Sequence, residues 1–161
     1  MSREQHGYWV VLGTFLIAYV LATMPFPAWL HRARPEWLAL VLIYWAIALP
    51  HRVGVYTGAL LGIGLDVLEG VVLGQNALSL TVLSLISLFL YQRLRVFNLW
   101  QQCATVFIMI GINQILCQWV LALQGLGDRS LWFLLPAFTS ALFWPVILHL
   151  LRGLRRAYQV N

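Results

Sequence analysis

The chain has 161 residues, 61% of them hydrophobic and 9% charged. Soluble domains carry about a quarter charged residues, and a soluble fold of this length could not hide so much apolar surface, so composition excludes a water-soluble globule and points to lipid as the solvent. The net charge of +5 rests on ten basic residues, all arginine, which fall between apolar runs and not on one soluble face; that pattern sets membrane orientation and argues against a nucleic-acid partner.

Six apolar segments follow in chain order. The first covers 8–24, from Tyr8 to Met24; it exceeds the usual apolar core of a signal peptide and lacks a small-x-small cleavage site, so a retained span is expected. The second, 37–49 (WLALVLIYWAIAL), is short, and the third, 53–68, is rich in glycine. A single helix over 37–68 would bury Pro50 in its interior and place Arg52 near mid-membrane, both unfavourable. Two helices joined by a turn at Pro50, His51 and Arg52 are therefore expected. The fourth segment is 71–91, the fifth 100–123 and the sixth 131–151. A span needs about 20 residues, so the second and third rely on flanking Arg and Trp reaching to the interface. The expected fold is one all-α polytopic membrane domain over 1–161, with about six transmembrane helices.

With the N-terminus inside, Arg3, Arg52, Arg93, Arg95, Arg152, Arg155 and Arg156 lie on the inner side, and Arg32, Arg34 and Arg129 on the outer, in agreement with the positive-inside rule. A five-span chain with the N-terminus outside also places seven arginines inside; the buried Pro-His-Arg argues against it. Both arrangements put the C-terminus inside. Trp9, Trp29, Trp37, Trp100 and Trp132 read as interface residues, and Trp45, Trp119 and Trp144 as packing residues. Cys103 and Cys117 are about 21 Å apart along one helix, too far for a disulfide.

Gly54, Gly58, Gly62 and Asp66 recur every fourth position, so they form one slowly turning stripe. Such a stripe serves either close packing within the chain or a groove for a partner's transmembrane helix. Asp66 ends the stripe near the outer surface, where water and backbone, or Arg32 or Arg34, can satisfy it. Asn113, Gln114 and Gln118 place amides inside the fifth span, where they seek partners across helices. Arg152, Arg155 and Arg156 share one face of the tail and suit anionic lipid or a cytoplasmic protein. The histidines are scattered, no metal-binding spacing occurs, and no nucleophile neighbours a base. No cofactor, metal or catalytic group is expected.

RPEWLALVLIYW, ALPHRVGVYTG and GLDVLEGVVLG, followed by LWQQ at 99–102 and LFWP at 142–145, resemble in order the rod shape-determining membrane protein family MreD. The likeness runs from about Trp9 to Arg156 and takes in Arg34, Pro35, Pro50, His51, Arg52, Thr57, Gly58, Gly62, Asp66, Gly70 and Gly74. It implies a multi-pass subunit of the bacterial inner membrane within the machinery that lays down side-wall peptidoglycan. The implied partners are MreC, MreB filaments, RodA and its penicillin-binding transpeptidase, besides membrane lipids. It also implies a fold similar to the membrane S subunits of energy-coupling-factor transporters, which keeps open a second reading as a solute- or lipid-binding subunit.

Overall fold

The computed structural model describes residues 2–160; Met1 and Asn161 lie outside it, as do the side chains of residues 2–6, Arg3 and His6 among them. The regular elements among the described residues are all helical, in the order α1 (Ser2–Thr23), α2 (Ala28–His31), α3 (Trp37–Ala48), α4 (Val55–Glu69), α5 (Gln75–Val96), α6 (Leu99–Leu123), a 3-10 turn (Leu131–Leu134) and α7 (Leu135–Ala157). The six expected segments each become a helix. The short α2 is additional; Pro27 opens it with a fixed φ of −54°. The segments α5, α6 and Leu131–Ala157 are each long and apolar enough to cross a membrane, while Gly7–Thr23 and α3 are shorter apolar helices.

Successive long helices pack on one another, α4 on α5, α5 on α6 and α6 on α7. One end of the bundle gathers the arginines: Arg52 lies over the Tyr8 ring at 4.8 Å, Arg95 reaches the last carbonyls of α3, and Val160 packs against Gly7. Pro50 to Arg52 form the turn between α3 and α4, closed by Arg52 and Val53 amides donating to the Leu49 carbonyl. The opposite end holds Arg34, Glu36, Asp66, Glu69 and Asn76.

At 12 residues α3 is about 18 Å long, well short of a 30 Å hydrocarbon layer. Its sequence is apolar on every side, which is the pattern of a helix with no solvent-facing stripe. It is accordingly enclosed: Leu38, Ala39, Leu40, Leu42, Ile43, Trp45 and Ala46 are all fully buried, against α1, α5 and α7. The indole of Trp45 donates to Thr14 Oγ1 at 2.9 Å, tying α3 to α1.

The most extensive pairing is between α4 and α5. A Cβ on Gly58 would run into the Ser84 hydroxyl and lie 2.7 Å from the Leu80 carbonyl oxygen; one on Gly62 would strike the Ala77 backbone. The facing residues of α5 are small, and its buried serines satisfy themselves along their own helix: Ser84 donates to the Leu80 carbonyl at 2.9 Å and Ser87 to that of Leu83 at 2.8 Å. Small residues on both sides let two backbones come close, which supplies packing energy where lipid offers no hydrophobic drive.

Two tryptophans exchange their expected roles. Trp37 packs edge-on against Phe143 with ring centroids 5.4 Å apart, whereas Trp119 is 72% exposed on the flank of α6. Lipid is as apolar as a protein core, so hydropathy does not separate the two.

Candidate functional site

The expected glycine groove exists, but this chain fills it. With α5 against Gly58 and Gly62, no second helix fits there, so the assignment of Gly58 and Gly62 to partner docking is corrected to internal packing. Gly54, the residue before α4, is more open, with only the Leu88 side chain 3.9 Å from a built Cβ.

Asp66 belongs to the same pairing. Its side chain is wholly buried and receives three amide hydrogens from the start of α5: Gly74 N–H to Oδ2 at 2.8 Å, Asn76 N–H to Oδ1 at 2.8 Å and Ala77 N–H to Oδ2 at 3.3 Å. These belong to the amides that a helix start leaves without partners. A carboxylate there also meets the positive end of the helix dipole. Asp66 therefore caps the next helix from the end of its own. The link between them suits this: Gly70 closes α4 at φ 65° and Gly74 precedes α5 at φ 108°, a region that favours glycine. Two glycines at positive φ explain why α5 begins at Gln75 and not at the expected residue 71.

Neither Arg32 nor Arg34 reaches Asp66. Arg34 pairs with Glu69 instead, at 3.6 Å, and Glu69 also accepts from the Asn76 side-chain amide at 3.0 Å. Nearby, Gln114 donates to Glu36 Oε1 at 2.6 Å and the Glu36 amide donates to Ser140 Oγ at 2.8 Å. One residue, Glu36, thus ties the start of α3 to both α6 and α7. Burial pushes its carboxyl above the ordinary range; the Gln114 hydrogen bond draws it back, the Glu69 charge adds to the rise and Arg34 opposes it. The Cys117 thiol donates to Ser79 Oγ at 3.3 Å and approaches Asn76 Oδ1 at 3.7 Å; Cys103 and Cys117 are both free.

Of the three amides singled out in the fifth span, only Gln114 bonds across helices. Gln118 Oε1 accepts from the Asp128 backbone in the following loop at 3.3 Å, and Asn113 Oδ1 is buried without a partner among the described residues. Among the described residues no group of three His, Cys, Asp or Glu side chains stands close enough to hold a metal ion.

At the arginine end, Arg95 grips the C-terminus of α3: Nε and Nη2 donate to the Ile47 carbonyl at 3.0 and 2.7 Å, and Nη2 to that of Ala48 at 3.3 Å. Gln102 donates to the Leu94 and Phe97 carbonyls at 2.9 and 3.2 Å, and accepts from the Trp144 indole at 3.3 Å. In the tail, Arg155 Nε holds the Val160 carbonyl at 3.1 Å, while Arg152 and Arg156 are exposed. Glu36, Asn76, Arg95 and Gln102 were not singled out in the sequence. Their available signal was position: each is a polar residue at or within two turns of the end of an apolar run.

The network joins helix ends to helix ends, which is a packing role that many membrane proteins share. The family model described as rod shape-determining protein MreD matches residues 3–154. A curated relative, the rod shape-determining protein MreD of Haemophilus influenzae, is 33% identical over 158 residues, covering 96% of this chain and 95% of its own length. No solved structure matches. A match of this extent, on a helical bundle with membrane-crossing segments, places the chain in the MreD family of rod shape-determining membrane proteins.

Proposed function

We propose that this MreD-family chain is a non-catalytic scaffold of the cell-elongation peptidoglycan machinery in the bacterial inner membrane. It holds the transmembrane helix of MreC and thereby links MreB filaments, RodA and its penicillin-binding transpeptidase in one complex. The carrying observation is where the polar side chains go. Asp66, Glu36, Gln114, Arg95 and Gln102 are each bonded to another helix or to a helix end of this chain, which is the work of a rigid frame.

With α5 seated on Gly58 and Gly62, the MreC helix is assigned to the seam between α1 and α4. These two helices touch little; Tyr19, whose hydroxyl donates to the Leu61 carbonyl and abuts Gly64, bridges them. Towards the arginine end they part around a cavity of about 170 Å³ lined by Tyr8, Leu12, Phe15, Arg52 and Thr57 among others. The outward flank of α4 beside it presents Tyr56, Leu60, Ile63 and Val67 at helical spacing. The test is photo-crosslinking in cells with probes at Leu12, Tyr56 and Leu60, and at Ile115 on α6 as the comparison. MreC adducts at the first three support the seam. Adducts at Ile115 alone, or none at any position, overturn it.

A second reading, a solute- or lipid-binding subunit, draws on cavities of about 490 and 520 Å³ beside α6, the first lined by Gln118, Asp128 and Arg129 and the second by Phe107, Trp132 and Phe138. A discrete molecule retained through gentle purification, seen by native mass spectrometry, would favour it.

A further inference from the structure

The C-terminal ends of α3, α5 and α7 converge at the arginine end on a cavity of about 100 Å³, lined by Tyr44, Arg95, Gln102, Trp144, Arg152 and Arg155 together with apolar side chains. Its apolar wall is buried at Tyr44, Leu94, Trp144 and Leu148, while Arg95 and Arg152 are exposed. We infer that this cavity binds a phosphate group, either the headgroup of an anionic lipid or a free phosphate, through Arg95, Arg152 and Arg155.

Charge balance is the first argument. Each helix C-terminus carries about half a negative charge, so three of them offset about 1.5 of the three positive charges and leave roughly +1.5 facing the cavity. Among the described residues the single carboxylate–guanidinium pair, Arg34 with Glu69, stands at the opposite end of the bundle. Apolar walls strengthen the field that remains.

Donor geometry is the second. Each guanidinium has five N–H donors. Among the described residues Arg95 uses Nε and Nη2 on α3 carbonyls, which fixes the group and leaves Nη1 without a protein acceptor. Among the described residues Arg155 Nε is held by the Val160 carbonyl and its guanidinium faces the Tyr44 hydroxyl, while Arg152 has no protein hydrogen-bond partner. Forked donors around one small space match the oxygens of a phosphate. The volume is about three times the ~30 Å³ share of one water molecule, room for one small anionic group and not for a nucleotide. The positive-inside rule puts this end at the inner membrane surface, within reach of anionic headgroups. The site does not depend on the scaffold reading.

The test uses the full chain, delipidated in neutral detergent, with Arg152→Gln as the site variant and Arg156→Gln as a tail control whose arginine does not line the cavity. Phosphatidylglycerol binding is read by native mass spectrometry, and inorganic phosphate binding by the shift in thermal midpoint against chloride at matched ionic strength. A single lipid adduct weakened roughly tenfold by Arg152→Gln but not by Arg156→Gln supports the inference with a lipid source. A saturable phosphate shift lost in the same variant alone supports it with a free phosphate. Equal losses in both variants mean a diffuse surface charge and overturn it, as does binding of neither probe.

Discussion

The Asp66 carboxylate accepts the Asn76 backbone amide at 2.8 Å, so the last turn of one helix supplies the cap of the next. Ten residues of chain separate the two, and the 71–74 link carries no comparable side-chain cap of its own. The α4–α5 pair is thereby locked in register at one end, while Gly58 and Gly62 set its spacing.

Asp66→Ala is expected to remove three hydrogen bonds to a buried charge and lower stability by about 2–4 kcal/mol. Asp66→Asn, which keeps one carbonyl oxygen but turns an amide donor towards amide donors, is expected to lose an intermediate amount. Thermal unfolding in detergent checks both. An Asp66→Ala midpoint equal to the parent's would mean the cap contributes nothing.

Gly62→Ala forces a methyl group into the Ala77 backbone, where no flexible side chain can yield. A loss of about 1–3 kcal/mol is expected from overpacking. Gly153→Ala, with nothing within 4 Å of a built Cβ on an outward position of α7, is expected to be neutral or to gain up to about 1 kcal/mol from helix propensity. Comparing the two midpoints separates packing from propensity.

Glu36→Gln keeps an acceptor for the Gln114 amide and removes a carboxyl whose burial favours the protonated form. Because its folded-state value is raised, the parent gains stability from this group as pH falls through that raised value, and the contribution is complete below the ordinary value of about 4.3. The variant is expected to lack this gain and to match or exceed the parent's midpoint at pH 7. Unfolding midpoints at pH 5 and pH 7 for both proteins decide; a variant with the parent's full pH response would exclude Glu36 as its source.

Arg95→Gln is expected to free the Ile47 and Ala48 carbonyls and lower stability by about 1 kcal/mol, measured in phosphate-free buffer. Arg95→Lys is expected to recover only part of this, since an ammonium cannot reproduce the fixed fork that spans two carbonyls. Full rescue by lysine would show that charge alone matters.

The helices themselves were legible in the sequence, because apolar runs broken by Pro50-His51-Arg52 and by the Arg93–Asn98 stretch have few folded alternatives in lipid. The turn at Pro50 could be read from the cost of burying Arg52. What covers each helix could not be read. Trp37 and Trp119 differ in environment yet sit in equally apolar sequence, and the stripe at Gly58 and Gly62 calls for a close neighbour without naming it. Asp66 was visible as a costly residue, but its partners are backbone amides, which carry no residue-type signature. Arg95 was present as an orientation charge and Glu36 only as part of the RPEW stretch; their bonds emerge only once the two ends of α3 are known to lie beside them.

The enclosure of α3 has a consequence for how the protein is made. A 12-residue helix leaves the ribosome well before α7, which forms one of its walls, and its start is tethered through Glu36 to Ser140, 104 positions later. Insertion therefore cannot finish one span at a time. Until α7 arrives, α3 is a short hydrophobic helix in a half-built frame. Loss of the C-terminal helix would accordingly destabilise the middle of the protein before its end.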